Sequence, residues 1–118
     1  MMKFKMNNRE WIIRETSQSD IKSMQNKRRA NEEENLKSIT PRYYGVTYCD
    51  MQEIYIDKDL PVDRKRATLI HELTHCYIDN YITHDDKQYS EEDVADIVSN
   101  SYDIIHEIVD KYFKDKSK

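Results

Sequence analysis

Residues 71–75 read His-Glu-Leu-Thr-His, and this HExxH pattern constrains the chain more than any other feature of its sequence. In a helix, the spacing of four residues places His71 and His75 one turn apart on one face, where both imidazoles can bind one metal ion. Glu72 lies one step round the helix and can reach a water molecule at an open position of that ion. The pattern therefore predicts a helix with a metal-binding pair and a general base.

Signals in the surrounding sequence predict that this helix spans residues 62–81. The fixed φ of Pro61 suits the first helical position, and Asp63 complements the positive end of the helix dipole. Apolar residues recur at three- and four-residue spacing, namely Leu69, Leu73, Cys76 and Tyr77. We expect this stripe to face the core, on the side opposite the two histidines.

A C-terminal helix is predicted over residues 90–113. It begins with a pattern similar to a capping box, in which Ser90 is followed by Asp93 in place of Glu or Gln. The expected core stripe of this helix consists of Val94, Val98, Tyr102, Ile105, Val109 and Tyr112, flanked by Ile97, Ile104 and Ile108. The opposite face carries acidic residues.

Two β-hairpins are predicted before these helices. The first joins residues 3–6 to residues 10–14 through two asparagines, which tolerate the positive φ of tight turns. The second joins residues 43–49 to residues 53–57, and both segments are rich in aromatic and β-branched residues. The elements predict an α+β fold, in which a small, mainly antiparallel sheet packs against the motif helix and the C-terminal helix.

The segment from residue 17 to residue 40 is polar and highly charged. We expect a surface helix followed by a loop, and residues 26–37 are also compatible with a flexible insertion because they bury little apolar surface. The chain of 118 residues has the usual length of one domain, so we expect a single domain over residues 1–118.

Charge and composition argue against several classes of partner. Lys and Arg number 19 against 23 Asp and Glu, with interspersed signs, which does not favour nucleic-acid binding. No apolar run is long enough to cross a membrane, and the N-terminal segment is too polar for a signal peptide. Cys49 and Cys76 lack CxxC spacing, which favours reduced thiols. We therefore expect a cytoplasmic protein with no nucleic-acid or membrane partner.

A zinc site needs a third protein ligand, which for this motif usually comes from a later helix. Glu92 and Asp96 share one face of the predicted C-terminal helix, so one carboxylate can bind the metal while the other accepts the N–H proton of a ligand imidazole. We assign Glu92 as the metal ligand and Asp96 as the carboxylate that accepts a hydrogen bond from a ligand imidazole. Glu91 and Asp93 in the same turn are alternatives, and His84 is a weaker candidate because of its spacing from the motif.

Together, HELTH and the later Glu92-x-x-x-Asp96 resemble the gluzincin pattern of zinc metallopeptidases, which the thermolysin-like enzymes share. The small size, the strand pair before the motif helix and the sequence TLIHEL at residues 68–73 are most similar to the ImmA/IrrE-type metallopeptidases of phages and mobile elements. This resemblance covers roughly residues 43–99. The chain departs from the family where Ala95-Asp96 and Val98-Ser99 replace the frequent Ala-Asn and Phe-Ala pairs.

The resemblance implies a minimal zincin-like domain with His71, His75 and Glu92 as zinc ligands and Glu72 as the catalytic base. It also implies that an extended peptide substrate lies along the strand at residues 53–57, as an edge strand. A transcriptional repressor of a phage or mobile element would be a natural substrate.

The expected function is zinc-dependent hydrolysis of a peptide bond, in which Glu72 takes a proton from water and passes it to the leaving amine. A further donor should stabilise the oxyanion, and the candidates are Tyr81, Tyr89, Tyr102 and His106. Zinc is the expected metal, with manganese and cobalt as alternatives. Two other functions are compatible with the sequence: a catalytically inactive, zinc-stabilised protein-binding domain, and a metal-free helical interaction domain.

Overall fold

The structure is a computed structural model and describes residues 1–32, 44–82 and 88–116. Both predicted hairpins are present. β1 (Met2–Met6) pairs with β2 (Arg9–Thr16) in antiparallel orientation, and β3 (Gly45–Tyr48) pairs with β4 (Glu53–Asp57) in the same way. The first turn places Asn7 and Asn8 at φ of 52° and 63°, the left-handed region that asparagine tolerates.

The two hairpins join into one four-stranded sheet with the order β1-β2-β4-β3. The central pair, β2 and β4, is parallel and aligns Ile13 with Ile54. Two of the three strand pairings are antiparallel, which confirms the predicted α+β fold with a mainly antiparallel sheet. The prediction that residues 53–57 form an edge strand is wrong, because β4 lies between β2 and β3. Among the described strands, β3 forms that edge instead.

Part of the segment predicted as a surface helix and loop forms α1 (Gln18–Glu32). Ser17 caps this helix, since its Oγ accepts a hydrogen bond from the backbone N–H of Asp20 at 3.1 Å. Ile21 is fully buried in a small cluster with Val46 and Tyr48, which attaches α1 to β3. The rest of the predicted segment, residues 33–40, lies outside the described residues.

α2 (Val62–Tyr81) has the predicted bounds. The residues expected in its core stripe are all buried, namely Leu69, Leu73, Cys76 and Tyr77, and His71 and His75 are exposed. The stripe packs with Trp11, Ile54 and Ile56 of the sheet in the main core. Because the core fixes one face of α2, the two histidines face away from it.

α3 (Glu91–Lys116) begins with the predicted cap, in which Ser90 Oγ accepts from the Asp93 N–H at 3.1 Å and Asp93 Oδ2 accepts from the Ser90 N–H at 3.0 Å. Its C-terminal half buries the predicted core residues, namely Ile105, Val109 and Tyr112. Tyr112 also donates a hydrogen bond to Glu15 at the end of β2, which joins α3 to the sheet.

The predicted core stripe is wrong in the N-terminal half of α3. Val94, Val98 and Tyr102 are 50%, 60% and 57% exposed, whereas Ile97 and Ser101 are buried. In this half, Ile97 and Ser101 are the buried residues that face α2, and this contact leaves the three residues of the predicted stripe exposed. No helix in the described ranges is long and apolar enough to span a membrane.

Candidate active site

The site begins where β3 passes close to α2. Gly45 is the only glycine in the chain, and a Cβ atom at this position would lie 2.7 Å from Thr68 Cγ2 and 3.2 Å from Glu72 Cγ. The same atom would lie 3.1 Å from the carbonyl oxygen of Tyr55. Any side chain here would force strand and helix apart, so Gly45 allows β3 to lie directly against the HExxH helix.

Glu72 is held by this close approach. Its side chain is largely buried, at 6% exposure, and Thr47 Oγ1 of β3 donates a 2.7 Å hydrogen bond to Glu72 Oε1. Thr47 Oγ1 also lies 3.3 Å from the backbone oxygen of Glu72, but the shorter contact to the carboxylate is the better hydrogen bond. The carboxylate predicted to act as the general base is therefore fixed by a residue of the neighbouring strand.

His71 and His75 converge on one point outside α2. Their Nε2 atoms lie 3.3 Å apart, and their rings are inclined at 74° with centroids 5.0 Å apart. Two nitrogens that bind one tetrahedral zinc ion at about 2.0–2.1 Å lie about 3.3–3.4 Å from each other. The separation is also at the long end for a hydrogen bond. The histidine pair thus fits two ligands of one zinc ion without rearrangement.

The third ligand is not brought to this pair. Across residues 1–32, 44–82 and 88–116, no three His, Cys, Asp or Glu side chains lie close enough to hold a metal ion. Glu91, Glu92 and Asp96 are exposed at the start of α3, and Asp93 caps that helix. Asp96 lines a small cavity with Tyr77 and Ile82. The assignment of Glu92 as ligand and Asp96 as its partner remains a prediction, and His84 lies outside the described residues.

A groove of about 570 Å³ runs from His71 and Glu72 towards the start of α2. Its walls include Tyr44 and Gly45 on one side and Arg64 on the other. Arg64 Nη1 donates to the hydroxyl of Tyr44 at 3.3 Å, which connects the residue before β3 to α2. Among the described strands, β3 has a strand partner on one side only, and its first residue, Gly45, lines this groove. A strand with such an open edge can pair with an extended peptide.

The structure places the candidate oxyanion donors elsewhere. Tyr89 packs against the main core, and Tyr81 stacks near Tyr77 with ring centroids 4.9 Å apart. Tyr102 and His106 border a different cavity, between α2 and α3. None of the four lines the groove beside Glu72. Their proposed role in catalysis therefore gains no support from the geometry.

Cys76 directly follows a predicted ligand but takes no part in the site. Its side chain is fully buried in the main core. Burial raises the pKa of the Cys76 thiol far above its ordinary value, so the thiol stays protonated. Cys76 lies on the core face of α2, away from the exposed histidine pair, and acts as a core residue.

Sequence reasoning missed the residues that support Glu72. Thr47 and Gly45 lie in a predicted strand whose neighbours were not known, so nothing indicated that they would meet the HExxH helix. The one available signal is Gly45 itself, since a glycine inside a strand often marks a close approach of another backbone or side chain.

The fold and the site together define a small α+β domain of the metallopeptidase-like class, with an HExxH helix beside an edge strand. The chain matches the family model Peptidase_M78, the IrrE N-terminal-like domain, over residues 16–113. The protein belongs to this family, which confirms the resemblance to ImmA/IrrE-type metallopeptidases. No curated protein and no solved structure matches the chain. The matched region includes the whole of α1, α2, β3 and β4, whereas β1 precedes it.

Proposed function

We propose that the protein is a zinc-dependent endopeptidase that hydrolyses a peptide bond in a protein substrate. The observation that carries this proposal is that a histidine pair and a fixed carboxylate lie next to each other on α2. The paired Nε2 atoms of His71 and His75 have the separation of two zinc ligands, and the Glu72 carboxylate on the same helix is fixed by Thr47. Family membership supports the same reaction class.

The residues of the chain have distinct tasks in this proposal. His71 and His75 would hold the metal. Glu92 is the proposed third ligand, because it shares one face of the C-terminal helix with Asp96. Bound zinc lowers the pKa of water to about 7 and polarises a carbonyl group. Glu72 accepts a proton from the attacking water and delivers it to the leaving amine. The outer edge of β3 aligns the peptide through backbone hydrogen bonds.

We further propose the substrate and the compartment. Membership of the IrrE N-terminal-like family supports a transcriptional repressor of a phage or mobile element as the substrate. The cytosol is the proposed compartment, because the sequence has only two cysteines and they lack CxxC spacing, a usage typical of a reducing compartment.

The first experiment is elemental analysis of protein purified without chelator. We expect about one equivalent of zinc in the parent chain and in Glu72→Gln, and loss of zinc in His75→Ala and Glu92→Ala. His106→Ala serves as the matched control, since it removes a histidine that the geometry places away from the pair. No metal in the parent, and no uptake on reconstitution, would refute the proposal.

The second experiment tests cleavage. The parent is incubated with a library of proteome-derived peptides and new termini are identified by mass spectrometry, with Glu72→Gln as the inactive control. New termini that depend on Glu72 support the peptidase. Zinc binding without any Glu72-dependent cleavage would favour the alternative, a catalytically inactive, zinc-stabilised protein-binding domain.

A further inference from the structure

A stripe of apolar side chains lies exposed on α3, next to the catalytic helix. Val94, Val98 and Tyr102 are spaced by four residues and therefore share one helix face. The Tyr102 ring stacks on His106, with centroids 4.0 Å apart and planes inclined at 26°. This stacking fixes the aromatic ring at one end of the stripe.

The stripe borders a cavity of about 140 Å³ between α2 and α3. Val98 and Tyr102 line it from α3, and Ile70 and Thr74 line it from α2. Ile70 and Thr74 directly precede His71 and His75 in α2, so the cavity lies one step round the helix from the histidine pair. A helix that lies on the stripe could insert an apolar side chain into the cavity.

The charges on α3 indicate what this surface binds. Between residues 91 and 110 the helix has no Lys or Arg, and its seven acidic residues are Glu91, Glu92, Asp93, Asp96, Asp103, Glu107 and Asp110. Asp103 and Glu107 are exposed. They lie beside the stripe, on the side that faces away from α2. An apolar stripe beside an acidic face is complementary to a helix with apolar and basic faces.

The same charges disfavour a second copy of the chain as the occupant. A symmetric dimer through this stripe would pair α3 with itself, because the same patch is used on both subunits. Such pairing would bring the acidic residues of two copies close together, and like charges at an interface oppose association.

We propose that the stripe and cavity are a docking site for a positively charged amphipathic helix of the protein substrate. This inference rests on the proposed function, to which it adds the chemistry of the segment that is recognised. The docked helix is held beside the histidine pair, so that the adjoining part of the substrate can enter the groove along β3.

The test uses two fluorescent synthetic helical peptides with the same apolar stripe, one with Lys and one with Glu at the remaining positions. Fluorescence anisotropy is measured with the full chain carrying Glu72→Gln, so that no turnover occurs. We expect the Lys peptide to bind at least about tenfold more tightly than the Glu peptide. Its affinity should fall when the salt is raised from about 0.05 M to about 0.5 M.

Variants of the surface locate the site. The double variant Val98→Ser/Tyr102→Ser should weaken the Lys peptide at least about tenfold. Asp103→Asn/Glu107→Gln should weaken the Lys peptide and leave the Glu peptide unaffected or tighter. Val62→Ser is the matched control, because Val62 is 69% exposed at the start of α2, away from the stripe, and its loss should leave both affinities unchanged.

Equal affinity for the two peptides, or unchanged affinity in the double serine variant, would overturn the proposal. Sedimentation equilibrium tests whether a second copy of the chain occupies the surface instead. A dimer of the parent that dissociates in the double serine variant would overturn the proposal in favour of a second copy. Failure of the proposed function gives a different result. The parent would then bind the Lys peptide at this surface but would hold no zinc and cleave no peptide.

Discussion

Thr47 is the residue on which the position of the Glu72 carboxylate depends. Its hydroxyl lies 2.7 Å from Glu72 Oε1 across the contact between β3 and α2. A general base must be held within hydrogen-bond reach of the water it deprotonates, so the orientation of its carboxylate affects the rate. Thr47 is therefore a positioning residue in the proposed peptidase.

We predict that Thr47→Val lowers kcat for peptide cleavage by about 10- to 100-fold, because valine keeps the shape of threonine but cannot donate to the carboxylate. KM and zinc content should change little, and the melting temperature should fall somewhat because the buried carboxylate loses its donor. Thr47→Ser restores the donor and should recover most of the rate. A Thr47→Val variant with the kcat of the parent would show that the hydrogen bond does not contribute to catalysis.

Gly45 is the residue that permits the contact itself. We predict that Gly45→Ala lowers the free energy of unfolding by about 1–3 kcal/mol, because the added methyl group would lie 2.7 Å from Thr68 Cγ2. Thr68→Ser removes that methyl group, so part of the loss should be recovered in the double variant. Urea unfolding of the four proteins in this cycle gives the coupling, and strictly additive effects would contradict the prediction.

At the scale of the elements, α3 is half core helix and half exposed surface. Val98 and Val109 belong to the same apolar pattern, yet Val98 is 60% exposed and Val109 is fully buried. We predict that Val109→Ala lowers the free energy of unfolding by about 1–3 kcal/mol, whereas Val98→Ala changes it by less than about 0.5 kcal/mol. Urea unfolding measures both, and similar losses in the two variants would mean that the stripe is buried along its whole length.

The starts of α2 and α3 and the presence of both hairpins could be predicted because their signals are local, whereas α3 extends three residues beyond its predicted end. Pro61 at the start of α2 and the Ser90–Asp93 cap of α3 act within one helical turn. The division of α3 into buried and exposed halves could not be predicted in this way. It depends on which residues of α2 lie opposite, and periodicity along one helix contains no information about its neighbour.

The site shows the same limit. The HExxH pattern predicts that His71 and His75 share one face of a helix, and the structure shows them there because the spacing is local. The role of Thr47 could not be predicted, because its contact with Glu72 joins residues 25 positions apart. The position of the third ligand depends in the same way on how the start of α3 approaches α2.

At the scale of the whole molecule, a partly buried polar network fastens α2 and α3 to the sheet. Lys65 Nζ lies 2.8 Å from Glu15 Oε1, and the Tyr112 hydroxyl donates to the other oxygen of Glu15. The three residues come from α2, β2 and α3. Burial raises the pKa of Tyr112 to about 12, since the phenolate would be poorly solvated there.

This shift predicts a loss of stability in alkali. The unfolded chain ionises Tyr112 near its ordinary pKa of about 10, whereas the folded protein keeps the phenol neutral to about 12. The contribution of Tyr112 is therefore complete below pH of about 10 and is lost as the pH rises towards 12. Thermal unfolding between these pH values should show a smaller decline for Tyr112→Phe than for the parent. Parallel declines in the two proteins would assign the alkaline sensitivity to other groups.

The parallel pairing of β2 with β4 also bears on how the chain folds. Each hairpin closes a short loop, but the alignment of Ile13 with Ile54 joins residues distant in the sequence. Closing so long a segment costs chain entropy before any contact compensates for it, which slows folding. We therefore expect the hairpins to form early and their union to limit the folding rate.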